Sequence, residues 1–239
     1  MSLAALPMII QGGMGVAISD WRLAKTVARL GQLGVVSGTG IDTVLLRRLQ
    51  DGDPGGHMRR AIANFPLREV AEGVLKRYFL PEGRKPGQLY KLLPLFRNGV
   101  SHARQQILML AAFVEVWLAK EGHSGMVGIN LLTKIQLPNL ALLYGAMLAG
   151  VDVVLMGAGI PRDIPAALDA MAEHRPAAIA FDVEGAAPGA NEQVIFTPMD
   201  HWDRSPPELR RPLFFPIISS NSLATMMARK ASGRGDGFV

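Results

Sequence analysis

Five short stretches bring together residues that can do chemistry: QGGMG (11–15), SGTG (37–40), the Asn130 of GIN, MGAG (156–159) and SSN (219–221). Each closes an apolar run, and a helix-forming run follows at once or within several residues. Glycine lets backbone N–H groups approach a ligand closely, and a helix start favours an anion. Asn130 offers a donor and an acceptor that can pair with the edge of a heteroaromatic ring. Ser219 and Ser220 put hydroxyls on an otherwise apolar strand end, where capping the next helix is the simpler use of at least one. GTGIDT and GAGIPR start as G-x-G but lack the third glycine and a well-placed acidic residue, so a dinucleotide fingerprint is weak.

Other chemistry finds little support. The chain has no cysteine, which excludes disulfides, thiolate metal sites and a cysteine nucleophile, and which fits a reducing cytoplasm. His57 lies near Asp51 and Asp53, and His201 lies between Asp200 and Asp203, but neither has helical ligand spacing, so no metal site is expected. His102, His123 and His174 fall near expected helix ends, where a partial positive charge is favourable. Nucleophile-elbow, phosphate-loop and zinc-protease patterns are absent. The net charge of +5 is spread without aromatic interleaving, and the most apolar region, 137–160, is broken by Pro138, Asn139, Gly145, Gly150 and Asp152. Neither a nucleic-acid nor a membrane partner is expected.

These residues need a scaffold that repeats. Apolar runs at 8–11, 34–40, 126–132, 151–159 and 213–221, with a last start at 236–239, read as parallel strands. Helical runs at 20–30, 137–149, 161–174 and 222–231 separate them, with Gly31 and Gly150 as stops and Ser19 or Asp20 as the first cap. Residues 177–183 and 193–197 suggest an added antiparallel pair around the loop GAAPGAN. Residues 41–125 form a long helical insertion after the second strand. Its stripes at 66–79 and 103–120 flank a loop at 81–88, and it is expected to lie over one end of the sheet. The rhythm predicts an α/β chain of the (β/α)₈ TIM-barrel type, a single domain over 1–239 holding about the first five to six strands. Because closure takes eight strands, an N-terminal part of a longer protein is expected. Its open edge predicts self-association, a homo-oligomer included.

At PMIIQGGMGVAIS, LAKTVARLGQLGVVSGTG, GINLL and DVVLMGAG the chain resembles the nitronate monooxygenase (2-nitropropane dioxygenase-like) family, N-terminal portion only. Flavin-dependent enoyl reductases of fatty-acid and polyketide synthesis share the pattern. The resemblance implies a barrel with FMN at the strand ends: Gly12, Gly13 and Met14 along the flavin, Asn130 on the ring or ribityl chain, and Gly157, Ser219 and Ser220 lining the pocket. The implied reaction is oxidation of an alkyl nitronate with O₂ to a carbonyl compound and nitrite, the small-molecule substrate and O₂ being the partners. The family's histidine base has no counterpart among the five histidines, so the catalytic residue is unassigned and a non-catalytic truncated barrel is the alternative.

Overall fold

The computed structural model describes residues 7–96, 99–185, 187 and 192–239. In chain order the elements are α1 (Trp21–Arg29), β1 (Gly34–Ser37), α2 (Ile41–Gln50), α3 (His57–Ile62), α4 (Arg68–Tyr78), α5 (His102–Lys120), β2 (Val127–Leu132), α6 (Gln136–Leu148), β3 (Val153–Gly157), α7 (Ile164–Ala172), β4 (Ala177–Ala180), β5 (Gln193–Phe196), β6 (Leu213–Pro216) and α8 (Asn221–Lys230). Strands β1, β2, β3 and β6 form a parallel sheet in that order; β4 and β5 pair antiparallel beside it. Most of the loop 185–191 lies outside the described residues.

Both edges of the sheet are continued by short segments. Leu33 N–H donates to Ile9 O and Gln11 N–H to Leu33 O, which places 9–11 parallel to β1. At the far edge Asp236 N–H donates to Phe214 O, Val239 N–H to Pro216 O and Ile218 N–H to Val239 O. The hydrogen-bonded order therefore follows the chain order from 9–11 to 236–239 without reversal. The first run is shorter as a strand than its apolar pattern predicts, because the backbone turns away after Gln11.

The two faces of the sheet differ. Val36, Val127, Ile129, Leu131, Val154, Met156 and Phe214 pack into the main core with the helices. Leu33, Val35, Val153, Leu155 and Phe215 form a second small cluster that contains no helix residue. The helices thus cover one face, and the alternating side chains point to the other.

The helices form where the sequence supplies caps. Asp20 Oδ1 accepts from Arg22 N–H and Leu23 N–H, and Gly31 follows α1 with φ +76°. Ser101 Oγ accepts from Arg104 N–H to open α5. The residues of α5 from Leu108 to Leu118 are buried, save for half-buried Trp117, because helices close over it on several sides. Gly145 makes one of these crossings possible: a Cβ there would stand 2.1 Å from Met109 O.

The insertion does not lie over an end of the sheet. Helix α5 packs directly on β1 and β2 as the crossover helix, and α2, α3 and α4 pack on α5. A long apolar helix needs partners all around it, and the shorter helices supply them on its outer side. His102 begins α5 instead of ending a helix. His123 and His174 do follow helix ends.

Candidate functional site

The first glycine turn is held by side chains that replace lost backbone pairing. Past Gln11 the main chain leaves the sheet, and Gln11 Oε1 accepts the Val35 N–H at 2.9 Å in its stead. Gln11 Nε2 donates to Ser19 Oγ, and Ser19 Oγ donates to Met14 O at 2.7 Å. Ser19 O in turn accepts from Ser37 N–H. The turn is thus closed at both ends before any ligand is considered.

Within it the glycines differ. Gly13 is buried, has φ +64°, and a Cβ there would stand 2.3 Å from Val35 Cγ1. Its bareness serves the fold, since the chain must press onto β1. An added Cβ at exposed Gly12 would meet only the end of the Met14 side chain, at 3.2 Å. Met14 is itself exposed above the turn.

Asn130 joins this turn to β2. It is 5% exposed and pairs in register with Ser37 and Leu155. A Cβ on Gly128 would touch Leu155 and Val35, so Gly128 faces the helix-free side, and Asn130, two residues on, faces it too. Asn130 Nδ2 donates to Gly12 O at 2.7 Å. A carbonyl requires a donor, which fixes the amide orientation and leaves Oδ1 without a hydrogen-bond partner among the described residues. Along this row Ser37 and Asn130 are polar, whereas Leu155 and Phe215 are apolar.

Gly157 ends β3, and Ser219 and Ser220 follow β6, at the same end of the sheet. Gly157 is buried at the end of β3, its carbonyl accepting from Thr133 N–H at 2.8 Å. Ser219 is exposed. Ser220 Oγ accepts from Leu223 N–H and caps α8, the use that the short polar run allowed for at least one of its residues. Gly12, Gly13, Met14 and Asn130 are therefore in direct association. Gly157, Ser219 and Ser220 share their end of the sheet, but no hydrogen bond among the described residues ties them to that group.

A cavity of about 490 Å³ opens beside the later strand ends, lined by Thr133, Lys134, Gly159, Arg162, Asp163 and Asp182 among others. Behind the first turn, Glu115 is buried, accepting from Trp21 N–H at 2.7 Å and from Arg48 Nη1 at 2.8 Å, while Arg48 Nη2 reaches Asp20. Burial pushes the Glu115 carboxyl up, against the pull of Arg48. This network fixes the start of α1, and with it the turn, to α2 and α5.

The histidines are engaged away from the turn. His57 packs on Trp21, and Asp53 accepts from Met58 N–H and Arg59 N–H. His201 is stacked between His102 and Phe196. Tyr144 OH bonds His174 Nδ1, and Ala119 O bonds His123 Nε2. Among the described residues, no group of three or more histidine, cysteine or acidic side chains is arranged to hold a metal. Gln11, Ser19 and Ser37 are site residues that the sequence reading missed. Gln11 stood inside the quoted motif, and its signal is a polar side chain at the last position of an apolar run. No family model matches the chain, and no curated protein matches it.

Proposed function

We propose that this chain carries the FMN-binding strands of a (β/α)₈-type oxidoreductase that acts on alkyl nitronates. The observation that carries the reading is the clasp of Asn130 on Gly12 at the common end of strands laid down in chain order. A doubly wound sheet reverses its order and carries helices on both faces. Here the order does not reverse and the helices keep to one face, which supports a curling sheet whose concave side faces inward.

The residues present fit a flavin ring. Isoalloxazine has a polar pyrimidine edge and an apolar benzenoid end. The cross-strand row on the helix-free face divides the same way, with Ser37 and Asn130 on one side and Leu155 and Phe215 on the other. Asn130 Oδ1 would accept a ring N–H, and Gly12 and Met14 would lie along the ring. Gly157, Ser219 and Ser220 would border it further round. When bound, the flavin would supply electron transfer from the nitronate and reduction of O₂. The residues of this chain bind and orient. None of them is assigned as the base that a neutral nitroalkane would require.

The test is to load the purified protein with FMN and compare turnover of a nitronate with O₂ against an enoyl thioester with NAD(P)H. Nitrite release supports the reading. Turnover of the thioester alone would replace it with an enoyl reductase, and failure to take up FMN would remove both.

A further inference from the structure

After α4 the chain runs from Phe79 to Phe96 without a helix or strand, yet it is firmly held. Gln50, 3% exposed, clamps Lys91 at both backbone groups: its Oε1 accepts from Lys91 N–H at 2.7 Å and its Nε2 donates to Lys91 O at 3.1 Å. Tyr90 OH donates to Asp51 at 2.7 Å, and Arg84 donates to the same carboxylate while lying 3.5 Å over the Tyr90 ring. Leu93 and Phe96 pack on the main core.

The period of this strap is three. Residues 90, 93 and 96 turn inward, whereas Leu89, Leu92 and Leu95 are 88%, 72% and 90% exposed. An extended chain with three residues per turn presents such a row along one edge. Single exposed leucines need no explanation, but a fixed row of three does.

Cations gather on the same strap. The last turn of α4 adds Lys76 and Arg77 to Arg84, Lys85 and Lys91 of the strap, against Glu82 and against Asp51, which pairs with Arg84. Arg47 lies 4.9 Å from the Tyr90 ring, and Lys91 Nζ reaches Arg77 O and lies 5.5 Å from the Tyr78 ring.

From this juxtaposition we infer that the strap docks the protein on an anionic lipid surface, the leucines entering the interface and the surrounding cations meeting headgroup phosphates. Leu89 and Leu92 project outward, and Leu95, although 90% exposed, stands at the rim of a cavity beside Pro94 and Phe96; a row standing this far out suits entry into lipid. The density of positive charge selects an anionic surface. This revises the expectation of no membrane partner and is independent of the flavin site.

The test is co-sedimentation of the full chain with vesicles of phosphatidylcholine alone or mixed with phosphatidylglycerol. Binding is expected only to the mixed vesicles, and it should be lost at roughly 0.5 M salt, where screening is strong. Leu89→Ser/Leu92→Ser/Leu95→Ser and Lys85→Glu/Lys91→Glu should each weaken it about tenfold or more. Their melting temperatures should stay at the wild-type value, because these side chains lie outside the core. Absence of binding to the mixed vesicles, or equal binding by the variants, overturns the inference. So does a leucine variant that abolishes self-association while vesicle binding is unchanged, which would assign the row to a second copy of the chain.

Discussion

Asn130 Nδ2 donates to Gly12 O at 2.7 Å, across 118 positions of sequence. One amide thereby sets the height of the first glycine turn over the sheet and keeps its own carbonyl oxygen for something else. Asn130→Asp cannot donate to Gly12 O, and Asn130→Ala leaves that carbonyl unpaired. Each should lower stability by about 1 to 2 kcal/mol in urea titration.

Gly13 and Gly12 should respond differently to the same added methyl. Gly13→Ala combines a left-handed backbone with a Cβ driven into Val35 and should cost about 2 to 4 kcal/mol. Gly12→Ala displaces only the tip of Met14 and should stay within about 1 kcal/mol of wild type. Denaturation midpoints of the two variants check this directly.

The stacked His201 ring should make the fold acid-sensitive. Burial, with the neighbouring His102, pulls its pKa down to about 4, while Asp200 opposes the shift. The folded state thus disfavours the charged ring. Stability is complete above about pH 6.5, the unfolded value, and falls as the pH drops toward 4, by about 2 to 3 kcal/mol from this group. His201→Gln should flatten that part of the curve of melting temperature against pH.

Glu115 should act with the opposite sign. Its carboxyl is pushed up in the fold by burial, so the ionised form is disfavoured there. Relative to Glu115→Gln, wild type should lose stability as the pH rises from the unfolded carboxyl range through the raised value. Glu115→Ala removes the acceptor from both Trp21 N–H and Arg48 and should cost about 3 kcal/mol. Matched urea titrations across pH separate these effects.

The parallel repeat was legible because strands buried on both faces write continuous apolar runs, and because Gly31 and Gly150 mark helix stops. The stripe at 103–120 announced α5. Its role as the crossover helix was not legible, since periodicity says what a helix buries and not which neighbour buries it. The strap was hidden for the same reason: LYKLLPLF carries neither a helical nor an alternating pattern, and only the clamp from Gln50, some forty residues earlier, fixes which leucines face out. At the site, residue type drew attention to Gly12, Gly13 and Asn130. That Gly13 is bare for Val35 depends on a contact between segments that no local pattern records. Ser220 showed the reverse, since its capping use was readable from the short polar run before α8.

The most direct test of the flavin account is titration of the purified chain with FMN, followed by flavin fluorescence, for wild type and Asn130→Ala. The account predicts saturable quenching at one FMN per chain and at least about tenfold weaker binding in the variant, consistent with loss of a buried hydrogen bond. Wild-type protein that leaves FMN fluorescence unchanged, or a folded Asn130→Ala that binds as tightly as wild type, would contradict it.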